Sequence, residues 1–297
     1  MKKYLYIDEE QNVLRGEEAR KKIAERNDHS YFEKGKGIIK VSRERWKQAQ
    51  AYEKHFWMKL ARNAKDDRNM DHFREFKNFA CIAGRHFASA IELGCGPFTN
   101  LRLISTKVQI EYCSLEDPLL EEYLKHPHTT YSRTELTGGD LSLDPLVLRL
   151  FRRLIRPLSA SMAERLVGKR KKIPLRDLLP VPIEEMPVDK TYELVVMINV
   201  IEHCQDLECI FTKILEICPK GSVFVFSDKY YDHTKVDELV KEQCFEAGHP
   251  LLADRSVIEN FLKQNFDPLY DQLTHKSNEI GEFDWSYDAV YFIGVRK

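Results

Sequence analysis

A buried strand that leads directly into a glycine turn most constrains the fold of this 297-residue chain. The strand is predicted at residues 88–93, and Gly94-Cys95-Gly96 follows it. Glycine permits a tight backbone turn and lets a ligand approach without a Cβ atom in the way. Glu92, near the end of the strand, can accept hydrogen bonds from a cationic amine or a hydroxyl. An isolated Gly-x-Gly is often an ordinary turn with no ligand. The rest of the chain therefore decides whether this turn binds a ligand.

From about residue 88, predicted strands and helices alternate along the chain. Strands are predicted at 88–93, 108–115, 192–200 and 222–227, helices at 99–105, 119–124, 207–217 and 257–264, and a closing strand pair at 266–274 and 289–296. This order predicts an α/β fold, a doubly wound, Rossmann-like, mostly parallel sheet with an antiparallel C-terminal strand pair. Ligands bind such sheets beyond the carboxyl ends of the strands, where Glu92 and the two glycines fall.

The region before this alternation predicts a separate N-terminal helical cap. We place the cap at residues 1–80 and the ligand-binding domain at 81–297. Aromatic and small residues recur at helical spacing in a stretch without glycine or proline, namely Trp46, Ala49, Tyr52, Phe56 and Trp57. One interpretation is an amphipathic helix packed on the larger domain. The other is a lid whose aromatic side chains also help to close a pocket.

A basic segment at about residues 135–181 interrupts the alternation and predicts a helical insertion. Residues 149–176 contain seven Arg and three Lys, with Glu164 as the single acid. The functional hypothesis is peripheral contact with an anionic membrane or with a phosphorylated substrate. The alternative is a solvated charged face.

Composition excludes several classes of function. The chain has 46 Lys and Arg against 47 Asp and Glu, a formal net charge of -1, which argues against a DNA-binding protein. Its seven cysteines form no Cys-x-x-Cys pair, so we predict reduced thiols and no metal site. The N-terminus becomes acidic before a signal-peptide core develops, and no apolar run is long enough to cross a bilayer. We therefore expect a cytoplasmic protein.

Acidic and polar residues follow the ends of successive predicted strands. Asp117 closes the second strand, where a carboxylate can accept hydrogen bonds from both ribose hydroxyls. Glu184 and Glu185 precede the strand at 192–200. At this place their side chains could contact the edge of a nucleobase. A nicotinamide site needs Gly-x-Gly-x-x-Gly, and Thr99 occupies the third glycine position, which disfavours a dehydrogenase.

These motifs resemble those of class I S-adenosylmethionine-dependent methyltransferases. Residues 91–96, Ile-Glu-Leu-Gly-Cys-Gly, resemble the first motif of that family. Residues 192–206 resemble its fourth motif in the small-molecule, methyltransferase-domain-11-like branch, and residues 219–222 resemble the turn before its fifth strand. The resemblance covers roughly residues 85–297. It departs from the family at Phe98, where many members have a third glycine, and in the long basic insertion.

The resemblance implies S-adenosylmethionine as cofactor and S-adenosylhomocysteine as product. It implies cofactor-binding roles for a set of strand-end residues: Glu92, Gly94, Cys95 and Gly96 at the methionine part, Asp117 or else Glu116 at the ribose, Glu184 or Glu185 at adenine, and Asn199 and Val200 beside the sulfonium. For each acid the alternative is a solvated strand end.

The acceptor side of the site is less constrained by the sequence. His203 is the candidate catalytic base for a protonated hydroxyl or amine, because its ordinary pKa of about 6.5 suits neutral pH. The alternative is a structural histidine that caps the next helix or bonds the backbone. Aromatic residues and histidines at the predicted edge of the site are candidate substrate contacts, namely Tyr52, His55, Trp57, Tyr230, Tyr231 and His233.

The acceptor predicted from these features is a small molecule, a sugar or a lipid- or glycan-linked group, methylated on O or N. The Asn/Asp-Pro-Pro-aromatic motif of enzymes that methylate exocyclic base amines is missing at residues 199–202, so DNA methylation is not predicted. A noncatalytic cofactor-binding or scaffold protein with the same fold is the alternative. A nicotinamide oxidoreductase is a third, disfavoured one, and the sequence predicts no oligomeric state.

Overall fold

The computed structural model describes residues 5–7, 12–26, 32–63, 66–137, 172–232, 248–276, 279–280, 283–284 and 287–297. Its strands are β1 (Leu5–Ile7), β2 (Val13–Arg15), β3 (Phe32–Glu33), β4 (Gly37–Ile38), β5 (His86–Leu93), β6 (Gln109–Glu116), β7 (Glu135–Thr137), β8 (Lys172–Leu179), β9 (Leu194–Ile198), β10 (Val223–Tyr230), β11 (Leu252–Ala253), β12 (Phe266–Lys276), β13 (Glu279–Ile280), β14 (Phe283–Asp284) and β15 (Tyr287–Arg296). Its α-helices are α1 (Gly16–Arg26), α2 (Arg43–His55), α3 (Asn69–Glu75), α4 (Leu101–Ile104), α5 (Leu120–Tyr123), α6 (Leu207–Ile217) and α7 (Arg255–Asn265).

An eight-stranded mixed sheet forms the centre of the fold, in the order β12-β15-β10-β9-β5-β6-β8-β7. β10, β9, β5, β6 and β8 are mutually parallel. β15 runs antiparallel to both β10 and β12, as predicted for the C-terminal pair. The predicted α/β fold is confirmed. The strand order reverses between β5 and β9, and a ligand crevice lies at such a reversal, beyond the carboxyl ends of the strands.

Both faces of the central strands are covered by apolar side chains. All five residues of β9 are buried. Leu194, Val196 and Ile198 join the apolar cluster on one face, while Val195 and Met197 join the cluster on the other. This explains why β9 reads as a continuous apolar run, as is typical of a parallel strand covered on both sides.

The N-terminal region is not purely helical, which corrects the prediction of a helical cap at residues 1–80. It contains α1, α2 and α3 together with the short strands β1 to β4. Its backbone is also bonded to the rest of the chain, because β4 pairs with β11 and the Leu207 amide donates to Ile39 O at 2.9 Å. These strands are two or three residues long, too short to produce a visible alternation in the sequence.

The predicted insertion at about 135–181 extends too far at its C-terminal end. β8 pairs in parallel with β6 and is a strand of the main sheet. Charged residues such as Lys172 and Arg176 alternate in β8 with half-buried apolar ones. Because of these charges, the strand was assigned from sequence to the basic segment. The predicted amphipathic basic helix lies outside the described residues, so its contact with a membrane or phosphorylated substrate stays a prediction.

Two further properties concern the whole described chain. None of its helices is both long and apolar enough to span a membrane. The described cysteines, Cys81, Cys95, Cys113, Cys204, Cys209 and Cys218, are all free thiols.

Candidate functional site

The glycine turn after β5 lies directly against the loop after β9. Gly94 has φ of +62° and Gly96 has φ of +55°, conformations that favour glycine. A Cβ atom at position 94 would lie 2.6 Å from both methyl carbons of Val200. Cys95 is buried, with its thiol 3.7 Å from the Tyr131 hydroxyl. Two sequence-predicted segments are thus brought into contact.

Glu92 is buried and holds the loop that leads into α4. Its carboxylate accepts hydrogen bonds from the Asn100 amide at 2.9 Å, the Asn100 side-chain nitrogen at 2.9 Å and the Leu101 amide at 3.0 Å. The Thr99 hydroxyl donates to the same carboxylate. Burial raises the pKa of Glu92, and these hydrogen bonds oppose the shift. The structure gives Glu92 a role in ordering the loop, and its predicted contact with a ligand amine stays a prediction.

Two adjacent acids at the end of β6 bind the amides of the glycine turn. Glu116 accepts from the Gly94 amide at 3.0 Å, and Asp117 accepts from the Gly96 amide at 3.0 Å and the Leu119 amide at 2.8 Å. The second carboxylate oxygen of Glu116, Oε1, is buried without a hydrogen-bond partner. A buried acceptor in this state costs free energy, so it marks a place where a donor would be stabilising.

The surroundings of these two acids are themselves acidic. Burial, together with the nearby charges of Glu53 and Glu92, raises the pKa of Asp117 to about 7. Burial also raises the pKa of Glu116 well above its ordinary value, with additional contributions from Asp117 and Glu184. A ligand with hydroxyl donors or a positive charge would relieve this concentration of carboxylates.

The loop after β9 is fixed by an acid that the sequence analysis did not single out. The Val200 and Ile201 amides donate to one oxygen of the buried Asp228 at 3.0 and 2.7 Å. Asn199 has φ of +59°, and its amide donates to Ser227 O at 2.7 Å. The side chain of Asn199 is exposed, as a ligand contact requires. A lone acid inside the otherwise buried strand β10 was the available signal for Asp228.

Glu184 and Glu185 differ in their surroundings. Glu184 accepts from the Gln205 and Asp206 amides at 2.7 and 3.0 Å, just before α6, and its other oxygen is buried without a hydrogen-bond partner. Glu185 forms an ion pair with Arg43 at 2.7 Å at the surface. Of the two residues predicted near adenine, only Glu184 therefore has a buried acceptor to offer.

His203 follows β9 in a short 3₁₀ turn and contacts both the backbone and two acids. Its Nδ1 lies 3.1 Å from Gly248 O and 3.6 Å from Glu53 Oε1, and its Nε2 lies 3.8 Å from Glu202 Oε1. The contact with Gly248 O fits the alternative in which His203 is a structural histidine that bonds the backbone. Burial lowers the pKa of His203, which leaves the imidazole neutral at pH 7.

A second histidine and a buried charged network surround His203. The ring centroids of His203 and His249 are 4.7 Å apart, and His249 Nε2 lies 3.3 Å from Glu202 Oε1. Glu202 is buried and accepts from Lys229 at 2.7 and 2.8 Å and from the Tyr231 hydroxyl at 3.0 Å. Burial opposes its ionisation, but the charges of His249 and Lys229 hold the pKa of Glu202 at about 2. This cluster could not be predicted from a local sequence motif, because His203 and His249 are far apart along the chain.

Two of the aromatic residues predicted to contact substrate, Tyr52 and Trp57, lie near the end of α2. Trp57, in the π-helical turn Phe56–Leu60, packs edge-on against Phe98 at 5.9 Å, and Phe98 packs edge-on against His126 at 5.3 Å. Tyr52 packs on Gly248, where an added Cβ would lie 2.7 Å from the ring. The π-helical turn after α2 therefore packs against Phe98, two residues after Gly96, a contact that fits both the packed helix and the lid, so the lid stays a prediction.

The remaining residues predicted to contact substrate, Tyr230, His55 and His233, do not form one cluster among the described residues. Tyr230 is buried at the end of β10, and the Arg255 guanidinium lies 5.4 Å from its ring centroid. His55 ends α2 and is partly buried, and burial lowers its pKa. His233 lies outside the described residues.

Comparison with known proteins finds similarity only at the level of structure. No family model matches the chain, and no curated protein matches its sequence. N-methyltransferase NodS from Bradyrhizobium japonicum, solved with S-adenosyl-L-homocysteine, is 9% identical over 82% of this chain and 97% of its own, with a TM-score of 0.44. YcgJ from Bacillus subtilis is 11% identical over 77% and 98%, with a TM-score of 0.45. A methyltransferase from Thermotoga maritima is 12% identical over 85% and 98%, with a TM-score of 0.40. These identities and TM-scores are too low to assign a function to this chain.

Proposed function

We propose that the chain is an S-adenosylmethionine-dependent methyltransferase that forms S-adenosylhomocysteine. The methyl group moves to an O or N of a small-molecule, sugar or lipid- or glycan-linked acceptor. The observation that carries the proposal is the buried, partnerless oxygen of Glu116 beside Asp117, next to the Gly94 turn. It lies where the strand order reverses, the expected place for a ligand.

The donors and acceptors of the site fit this cofactor better than they fit a dinucleotide. A pyrophosphate needs free backbone amides at a glycine turn. Here the amides of Gly94 and Gly96 already donate to Glu116 and Asp117, so these amides are not free to bind a phosphate. A ligand with ribose hydroxyls, an ammonium group and a sulfonium instead brings donors and positive charge. This argues against the nicotinamide oxidoreductase.

The cofactor, when bound, supplies a methyl group that its sulfonium already activates. The protein's task is then alignment and exclusion of water. Glu116 and Asp117 accept hydrogen bonds from the hydroxyls, and Gly96, where an added Cβ would meet no atom within 4 Å, lets the ligand approach the turn. Asn199 and Val200 flank the methionine side. All of these residues lie at or just after the ends of strands of the main sheet, and the sheet fixes their positions relative to one another.

Residues on the acceptor side complete the proposal. Tyr52 and Trp57 lie on the element that packs beside the glycine turn, so they can exclude water from the acceptor. His203 is neutral at pH 7, so one ring nitrogen has a lone pair available for an acceptor proton or for a metal ion. Glu184 contributes a buried acceptor oxygen for the adenine side.

Calorimetry with S-adenosylhomocysteine tests the proposal. We expect the intact chain to bind it, and Glu116→Gln and Asp117→Asn each to weaken binding by about 1–3 kcal/mol from lost charged hydrogen bonds. Asp267→Asn, an exposed acid on β12, is the matched control and should bind like the wild type. If the intact chain does not bind the cofactor, the proposal is rejected.

Turnover separates the proposal from its alternative, a noncatalytic cofactor-binding or scaffold protein. Methyl transfer from labelled S-adenosylmethionine is measured on panels of hydroxyl and amine acceptors. Labelled product supports the enzyme, while cofactor binding without product on any acceptor supports the scaffold.

A further inference from the structure

We propose that Glu53, His203 and His249 form a binding site for a divalent transition-metal ion. One nitrogen or oxygen atom from each residue lies within 4.8 Å of those of the other two. The three residues come from different elements: α2, the 3₁₀ turn after β9, and the segment before β11. Convergence of two imidazoles and a carboxylate from distant parts of the chain is the arrangement expected of a metal site.

The separations are close to those of a metal centre. Bonds of about 2.0–2.1 Å in tetrahedral geometry place neighbouring ligand atoms roughly 3.3 Å apart. His203 Nδ1 already lies 3.6 Å from Glu53 Oε1, and the His203 and His249 ring centroids are 4.7 Å apart. Side-chain rotations that close the gap by about 1 Å complete the site, since all three side chains are partly exposed.

Groups around the three residues supply the support that metal ligands need. His203 Nε2 lies 3.8 Å and His249 Nε2 lies 3.3 Å from Glu202 Oε1, which leaves the Nδ1 atoms of both rings for the metal. A backbone carbonyl or carboxylate on one ring nitrogen orients a histidine ligand for its metal. A Cβ at position 248 would lie 2.9 Å from Glu53 Oε1 and 2.7 Å from the Tyr52 ring, so a larger residue there would displace one of these side chains.

The charge of the cluster suits a divalent ion. Glu53 and Glu202 contribute two negative charges, and the ammonium of Lys229 compensates one of them at Glu202. A dication bound by the two imidazoles would lie close to both carboxylates. Two imidazoles with one carboxylate select ions such as Zn²⁺, Mn²⁺, Fe²⁺ or Co²⁺ over Mg²⁺ and Ca²⁺.

The place of the site gives the ion a role in methyl transfer, and this step rests on the proposed function. His203 lies four residues after Asn199, at the edge of the sheet that carries the glycine turn. An ion with three protein ligands keeps positions for an acceptor hydroxyl, whose O–H bond then breaks more easily. The proton leaves to water, and the oxygen uses the electron pair it keeps to form a bond to the methyl carbon. The carbon–sulfur bond of the sulfonium breaks at the same time, and its electron pair goes to sulfur, which leaves S-adenosylhomocysteine. In this arrangement His203 is a metal ligand and no longer a free base.

Titration of the metal-free full chain with Co²⁺ tests the site, because cobalt bound by histidines absorbs visible light. We expect one Co²⁺ per chain and competition by Zn²⁺. His249→Ala and Glu53→Gln should each weaken binding at least tenfold. His275→Ala, an exposed histidine paired with Asp288, is the control and should bind as the wild type does. Circular dichroism establishes that each variant is folded.

The outcomes distinguish this inference from the proposed function. A chain that binds S-adenosylhomocysteine but shows no stoichiometric Co²⁺ or Zn²⁺ overturns the metal site and leaves the cofactor proposal standing. Equal metal affinity in the wild type, His249→Ala and Glu53→Gln also overturns it. Stoichiometric metal that is lost in both folded variants supports it, whether or not the cofactor binds.

Discussion

The contact between Gly94 and Val200 gives a quantitative prediction about how the two loops of the site are joined. Gly94→Ala places a side chain at φ of +62°, which costs about 1–2 kcal/mol. The new Cβ also lies 2.6 Å from both Val200 methyl carbons, and relieving such overpacking costs about 1–3 kcal/mol more. The single variant should therefore lose about 2–5 kcal/mol of unfolding free energy.

Val200→Ala removes the two methyl carbons that cause the overlap. Alone it should cost about 2 kcal/mol, from lost burial and a small cavity. In the Gly94→Ala background it should cost less or even stabilise, because the overlap disappears while the strain in φ remains. The two substitutions should thus be coupled by about 1–3 kcal/mol in the favourable direction.

Urea denaturation of the wild type, both single variants and the double variant measures this coupling as a double-mutant cycle. Cofactor affinity in the same four proteins reports whether the turn keeps its shape. If the two losses of stability add to within about 0.5 kcal/mol, the reasoning is refuted, because additivity is the behaviour of residues that do not touch.

Two further predictions concern the buried acids. Glu92→Gln should lower the unfolding free energy by about 2–4 kcal/mol, since an amide cannot accept from all the donors of Asn100, Leu101 and Thr99; thermal melts measure it, and a loss no greater than that of a surface Glu→Gln change would contradict it. Burial raises the pKa of Asp117 from 3.8 to about 7, so between these values the folded chain holds a proton that the unfolded chain has lost. Unfolding free energy should therefore fall as pH rises from about 4 to about 7, by at most about 4 kcal/mol for this group; urea titrations across this range measure the slope, and Asp117→Asn should reduce it.

The sheet could be predicted from the sequence because its strands are covered on both faces. β9 is entirely apolar and β10 begins with four apolar residues at 223–226, and runs of that kind bounded by turn residues predict buried strands. β8 could not be found in the same way, because its charged residues alternate with partly buried ones beside a basic segment. The two-residue strands β3, β4 and β11 depend on tertiary contacts and have no periodicity to detect.

The site was predictable in its strand-end residues but not in its side-chain partners. Gly94, Asp117 and Val200 were predicted from local motifs and do lie together. Which donors the acids accept from depends on distances between loops that are remote in sequence. Asp228 and His249 were missed for this reason, since the loop residues that each contacts are 27 or more positions away.

The carboxylates that bind their own loop amides have a consequence for the kinetics of ligand association. Fixing the backbone of one residue reduces conformational entropy by about 1–2 kcal/mol in free-energy terms. In this chain Glu92, Glu116 and Asp117 fix the turn and the start of α4 when the protein folds. The loop is therefore preorganised, so a ligand that arrives loses little affinity to loop ordering. Its association rate should depend on access past α2 and Trp57 rather than on rearrangement of the glycine turn.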